Sequence, residues 1–337
     1  MLYALDFSHW KRKSLQQFFS DDTICFVSDS KKVPEGASLA VWGMRDVPEV
    51  LERNLSIIRI EDGFLRSVGL GADLIQPLSW IADQRGIYFN AKYPSDLEIL
   101  LANTVFEAEL LSRASVLKNR IVNAGFTKYN TGTTQWQSPK TNKRIILVPG
   151  QVESDASIAY GAPEIKTNLG LLQTVRASHP DAYVVYKPHP DVVAGLRAKG
   201  KNEEDIKQWC DEVVIDAPMG DLLLTIDEVH CLTSLTGFEA LLRGKRVTCY
   251  GQPFYAGWGL TTDIVPLSRR VRHLTLEQLI AGALILYPRY MSRTKNALIT
   301  PEEALNELAQ WHAQSGKSVP WWRKVFRIVL KNIVGVR

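Results

Sequence analysis

No apolar run in this chain approaches the length needed to span a bilayer, so a transmembrane helix is not expected. The opening MLYALDFSHWKRK has too short an apolar stretch, with its charges on the wrong side, for a secretory leader. Cysteine is scarce. The four present, Cys25, Cys210, Cys231 and Cys249, show neither CxxC nor Cys/His ligand spacing, and at least two sit in apolar runs that read as buried strands. That argues against a disulfide framework or a structural zinc site, and points to reduced thiols and a cytoplasmic setting. Internal repeats, long low-complexity segments and Asp-x-Asp triplets are also missing. Acidic residues are absent beyond Gly316, where six Lys or Arg account for more than the whole net charge of +4. The basicity therefore belongs to the tail, and no nucleic-acid-binding face is expected on the body.

What the chain does have is length and alternation. Its 337 residues fit two domains better than one. Short β-rich runs alternate with helical patterns from end to end, which predicts an α/β architecture with mostly parallel sheets. In the first half Leu2–Phe7, Ile24–Val27, Leu39–Trp42 and Leu55–Ile60 read as strands, followed by a helical stretch from Asp96 to Asn123 capped by Ser95. Thr127–Asn142, rich in Thr, Gln, Asn and Gly, reads as the interdomain linker. The pattern then restarts, with strands at Ile145–Val148, Tyr183–Lys187, Val213–Ile215, Val229–Leu232 and Val247–Tyr250 and helices at Asn168–Ala177, Glu203–Trp209 and Phe238–Arg243. Two facing Rossmann-like domains, 1–140 and 141–296, are expected, with helices over 297–337 and a site in the cleft between the domains.

Polar residues gather just after the predicted strands, where open α/β sheets place their ligand loops. Val148–Ser157 delivers Gln151, Glu153, Asp155 and Ser157 from a strand end. Carboxylates two apart can act as nucleophile, acid or base, or simply cap the next helix. In Tyr186-Lys-Pro-His-Pro190 two prolines stiffen the loop around His189, which with Lys187 can give charge-assisted hydrogen bonds to a phosphate. Thr233–Leu242 runs through Ser234, Thr236 and Gly237 into a helix start that suits an anion, with Glu239 in the first turn, placed for a ribose hydroxyl or for the helix dipole; taken alone, the segment reads as an ordinary N-cap. Gly251–Leu260 interleaves three glycines with Phe254, Tyr255 and Trp258, a loop fit either to stack a base or sugar or to lock a domain interface. In the first half Glu61, Asp62 and Arg66 follow a strand, and form either a second wall of the cleft or a surface ion-pair group.

In order, EDGFLRSVGLG, PLSWIADQRGIYFNAKYPSDLE, VPGQVESDASI, YKPHPDV and SLTGFEALLRGKRVTCYGQPFYAGWGLT closely resemble one module of the bacterial capsule β-Kdo transferases, over about Glu61 to Arg293. The resemblance implies a GT-B-like pair of Rossmann-like domains: an acceptor-side domain over 1–140, a CMP-sugar donor domain over 141–296, and C-terminal helices beyond. It implies a retaining glycosyltransferase that moves Kdo from CMP-Kdo to a capsule or lipopolysaccharide glycan. Asp155 would be the nucleophile with Glu153 and Gln151 orienting it. Lys187, His189, Ser234, Thr236, Gly237 and Glu239 would hold the donor, and Glu61, Asp62 and Arg66 would serve the acceptor. No cofactor and no metal are expected, in keeping with the missing Asp-x-Asp triplet. A transferase for another CMP-ulosonic acid, or a non-catalytic capsule assembly or export factor on the same fold, are the alternatives.

The tail completes the expectations. Trp322, Val325, Phe326, Val329, Ile333 and Val336 share one side of a helical projection, with Arg323, Lys324, Arg327 and Lys331 on the other. This is the pattern of a helix lying on an anionic membrane surface. The expected partners are thus a CMP-activated sugar, a glycan or glycolipid acceptor and the inner face of the cytoplasmic membrane, with no nucleic acid. A last helix docked across the two domains is the alternative.

Overall fold

The computed structural model describes residues 1–68, 76–128, 130, 132 and 134–315. The amphipathic tail expected over Val319–Arg337 lies outside them. Among the described residues no helix is long and apolar enough to cross a membrane.

The described residues build two sheets. β1 (Leu2–Leu5), β2 (Ile24–Val27), β3 (Ser38–Trp42), β4 (Ser56–Asp62) and β5 (Ser79–Asp83) enter the first. β6 (Ile145–Pro149), β7 (Tyr183–Lys187), β8 (Glu212–Val213), β9 (Glu228–Cys231), β10 (Arg246–Cys249) and β11 (Thr262–Asp263) form the second, and β12 (Arg289–Met291) and β13 (Leu298–Ile299) return to the first. The resulting orders are β13-β12-β5-β4-β3-β1-β2 and β11-β10-β9-β6-β7-β8. The second sheet is parallel throughout. β6, IILVP, is buried at every position, as expected of a strand covered by helices on both faces.

Among the described residues ten α-helices accompany the sheets: α1 (His9–Phe18), α2 (Asp96–Asn103), α3 (Ala108–Asn123), α4 (Ala156–Gly161), α5 (Asn168–Ser178), α6 (Pro190–Val193), α7 (Met219–Thr225), α8 (Leu235–Leu242), α9 (Leu276–Ile280) and α10 (Pro301–Ser315). Ser95 caps α2 as expected, its Oγ accepting from the Glu98 amide at 3.1 Å. The single helix expected over Asp96–Asn123 is two. Thr104 is extended, and Phe106, beside it in the break, is buried in the core. The sequence reading did not identify β5 or β12. The latter lies inside the stretch expected to belong to the second domain, yet pairs with β5 antiparallel, Arg289 opposite Trp80 and Tyr290 opposite Ser79. At its C-terminal end the division between sheets therefore departs from the expected boundary at 296.

Each sheet changes direction once. β1 pairs with β2 on one side and β3 on the other, and β6 likewise lies between β7 and β9. At such switch points the connections leave to opposite sides and open a crevice outside the strands' carboxyl ends, where ligands of α/β sheets bind.

The halves are packed against each other. Phe64, after β4, stacks on Phe254 with ring centroids 4.5 Å apart, and Tyr88 meets Phe254 edge-on at 5.8 Å. Phe254, Tyr255 and Trp258 are all buried, which favours the interface-locking alternative for their loop. Arg270 fastens it, with Nη1 donating to the carbonyls of Pro253 at 2.6 Å and Ala256 at 2.7 Å while Nη2 lies 2.9 Å from Glu98 of α2.

Candidate active site

The second sheet's switch point is built from residues after β6 and β9. Gln151, the second residue beyond β6, spans the crevice: its Oε1 accepts from the Thr233 amide at 2.9 Å, and its Nε2 donates to Thr233 Oγ1 at 3.0 Å. Asn168, at the start of α5, clasps the Gln151 backbone on both sides, its Oδ1 accepting from the amide at 2.8 Å and its Nδ2 donating to the carbonyl at 2.9 Å. Glu153 is engaged too. Its Oε1 accepts from the Asn168 amide at 2.7 Å and its Oε2 from the Lys201 amide at 2.9 Å. Gln151 and Glu153 thus shape the loop, and the carboxylate that emerges from it is Asp155. That residue caps α4 through Oδ1, which accepts from the Ser157 amide at 2.8 Å, and its Oδ2 has no hydrogen bond among the described residues. Of the uses foreseen for the acidic pair, the structure shows the capping one, at Asp155, while Glu153 braces the loop.

After β7 the Pro-His-Pro loop leads into α6 with His189 as its cap, but its charge differs from that expected. His189 Nδ1 accepts from the Asp191 amide at 3.2 Å, so that nitrogen carries no proton and Nε2 is the donor. Burial lowers the ring's pKa, with Asp191 opposing the shift. The cationic pair expected here is thus a neutral imidazole beside Lys187, whose ammonium is buried, donates to the Ile215 carbonyl at 3.2 Å and is lowered to about 8 by burial.

After β9, Ser234 caps α8, its Oγ accepting from the Thr236 amide at 3.2 Å. Gly237 is required for a packing reason: a Cβ there would collide with the Tyr255 hydroxyl, which donates to the Ser234 carbonyl at 2.5 Å. Glu239 is buried, which raises its pKa to about 7, and its Oε1 accepts from the Lys128 amide at 2.7 Å.

The first half supplies the facing wall. Glu61, at the end of β4, is raised to about 7 by burial and by the charge of Asp62, against the lowering influence of Lys128 and Lys11. Asp62 pairs with Arg66 at 2.5 Å, and Arg66 is 2 % exposed and also donates to Ser67 Oγ at 2.8 Å. Arg66 is therefore the buried ion-pair partner of Asp62.

Two cleft residues were missed. Lys128 lies in the stretch read as a linker, yet its segment joins the halves: the Lys128 amide reaches Glu239, its carbonyl accepts from the Ser67 amide at 3.4 Å, and Asn130 Nδ2 donates to the Ser67 carbonyl at 3.0 Å. Its charge bears on Glu61, His189 and Glu239. The sequence signal was slight, one cation in a polar stretch after a helix. Tyr88 packs at the same place. Its hydroxyl is shifted upward first by burial, with contributions from Glu61 and Asp62 of the first half and Asp155 of the second, and Lys128 opposing. Carboxylates from both halves thus act on one buried hydroxyl. Among the described residues, no group of three His, Cys, Asp or Glu is gathered in a way that would hold a metal.

Comparison with known proteins agrees with this architecture. Residues 45–290 match a family model described as capsule polysaccharide biosynthesis protein. A capsule polysaccharide modification protein, LipA, of Neisseria meningitidis is 45% identical over 313 residues, which is 90% of this chain and 44% of that protein, so the chain spans less than half of that relative's length. A lipopolysaccharide-processing protein, LpsZ, of Rhizobium meliloti is 39% identical over 89% of this chain and 72% of its own. Two solved structures of KpsC from Thermosulfurimonas dismutans align closely. A β Kdo 2,7 transferase is 42% identical, with TM-score 0.74, over 92% of this chain and 98% of that one. A β Kdo 2,4 transferase is 33% identical, with TM-score 0.79, over 91% and 97%. The two facing sheets are accordingly a GT-B-like glycosyltransferase fold.

Proposed function

Because the chain belongs to the capsule polysaccharide biosynthesis family, we propose that it is a retaining glycosyltransferase that moves Kdo from CMP-Kdo onto a glycan or glycolipid acceptor. The observation that supports this reading is that Asp155 from the second half and Glu61 from the first both act electrostatically on the buried Tyr88 hydroxyl, since retention by two displacements needs a nucleophile and a base that serve one reacting carbon. The similarity to a β Kdo 2,7 transferase and a β Kdo 2,4 transferase supports the choice of sugar.

In the first step the Asp155 carboxylate attacks the anomeric carbon, the bond from that carbon to the phosphate oxygen breaks, and CMP leaves with the electron pair. The α8 N-terminus at Ser234 and Thr236, together with the Nε2–H of His189 and the cation of Lys187, stabilises the departing phosphate, and Glu239 meets the ribose. In the second step the acceptor hydroxyl attacks the same carbon, its proton passes to Glu61, and Asp155 is released. A carboxyl group with pKa about 7 suits that base near neutral pH. No metal takes part in this scheme. The basic, one-sided tail over 319–337 supports peripheral attachment to the cytoplasmic face of the inner membrane, where a lipid-linked acceptor would lie.

The test is to incubate the purified chain with CMP-Kdo, following CMP release by NMR, and then to add candidate acceptors and determine the product linkage. Slow hydrolysis by water and faster release with acceptor are expected, with the β configuration kept and the rate within about twofold in EDTA. Intact CMP-Kdo under all conditions would favour a non-catalytic assembly or export factor, and preferential consumption of another CMP-ulosonic acid would reassign the donor.

A further inference from the structure

The first sheet has a switch point of its own, between β1 and β3, and the scheme above leaves it without a role. Two side chains stand at this crevice. Trp42 is the last residue of β3, and Lys11 lies in the first turn of α1, the helix that follows β1. Lys11 Nζ sits 2.9 Å from the centroid of the Trp42 ring and 5.3 Å from that of Trp10. Among the described residues the ammonium makes no ion pair and no side-chain hydrogen bond; indole faces are its partners. A cation withdrawn from water without an oxyanion is costly, and burial lowers its pKa to about 8.

The charged groups around it are Glu61, Asp62 and Arg66, none within ion-pair distance. Asp62 is matched by Arg66 at 2.5 Å, and Glu61 and Asp62 attract the Lys11 charge without forming an ion pair with it. Strand register fixes what lies beside it. Trp42 is opposite Ile60, the residue before Glu61, so the aromatic platform and the proposed base occupy neighbouring strand ends.

We propose that Lys11 and Trp42 form an oxyanion subsite in the first half that receives the acidic group of the acceptor glycan, a sugar carboxylate or a phosphate diester joining the glycan to its carrier. The identification of the ligand as acceptor rests on the transferase reading. Held over the Trp42 indole, the ammonium takes the oxyanion and so presents the acceptor hydroxyl to Glu61.

The test is an NMR titration of the CMP-bound protein with a methyl glycoside of Kdo, its neutral methyl ester, and a glycosyl phosphate, using wild type, Lys11→Met and Lys11→Arg. Wild type should bind one of the anionic probes about tenfold or more tightly than the ester, the size expected for one charge-assisted hydrogen bond. Lys11→Met should abolish that preference and Lys11→Arg should restore part of it. Preference for the carboxylate probe assigns the group to an acidic sugar, and preference for the phosphate assigns it to the carrier linkage. Equal affinity for acid and ester, or a preference surviving in Lys11→Met, overturns the proposal. Absence of CMP-Kdo hydrolysis in wild type would count against the transferase reading, while the anion preference would still be measured.

Discussion

Asp155 divides its carboxylate between two jobs, Oδ1 capping α4 and Oδ2 free of hydrogen bonds among the described residues. Asparagine caps helices as well as aspartate does, so Asp155→Asn should fold with wild-type stability and bind CMP, yet lose transfer by about 10³-fold or more, since the charge that attacks carbon is gone. Turnover near wild type would remove Asp155 from the nucleophile role. Glu239 makes a pH prediction. Its folded pKa is about 7 against an ordinary 4.5, so the folded state binds more protons than the unfolded state between those values, and stability falls as pH rises through that window. Glu239→Gln keeps an oxygen for the Lys128 amide but cannot ionise. Without ligand it should be more stable than wild type at pH 8 by on the order of 2–3 kcal/mol, a gain that largely vanishes at pH 5. Urea titrations at the two pH values measure this, and a gain independent of pH would contradict it. The acidic loop after β6 and the cap at Ser234 were legible because their residue types act within a few positions of themselves. Lys128 and Lys11 were not, because a lysine's meaning here depends on carboxylates and rings brought from distant strands.

Among the elements, the aromatic loop after β10 depends on one guanidinium. Arg270 serves Pro253, Ala256 and Glu98 at once from a buried position, and Glu98 also meets Arg269. Arg270→Ala should cost about 3–5 kcal/mol, since it strands two carbonyls and weakens a buried ion pair. Lysine should rescue little, because a point donor cannot serve three acceptors in the plane of a fork. Denaturant midpoints of the three proteins check both statements, and an alanine variant as stable as wild type would show that the loop holds itself. Element boundaries followed the same division between local and distant causes. β2 and β7 fall where their apolar runs place them. The break between α2 and α3 is decided by Phe106 reaching the core, and nothing in a helical periodicity announces that.

For the molecule as a whole, the two-sheet α/β plan was readable from the alternation of strand and helix patterns, whereas the way the first sheet is closed was not. Its outer strands arrive about two hundred residues after β5, as β12 and β13, and a three-residue strand such as RYM has no periodic signature. That closure has a physical purpose. β5 carries Trp80 and Ile81, both almost fully buried, and without β12 it would present an unpaired apolar edge. α10 adds a second tie, Glu302 meeting Arg113 of α3 at 2.7 Å, and the buried Leu279, Ile280 and Leu284 belong to the same core as Leu97, Leu101 and Leu117. Residues 1–140 expressed alone should therefore aggregate or remain molten, with retained far-UV helicity, dye-binding apolar surface and no cooperative transition. Joining 274–315 to their C-terminus through a flexible linker should restore a monomer with a sharp unfolding curve. Size-exclusion chromatography and thermal melts separate the outcomes. If 1–140 proves monomeric and unfolds cooperatively, the first half is a self-sufficient domain and the returning strands are an addition to it. If only the fused chain does, the C-terminal segment is a structural part of the acceptor-side half.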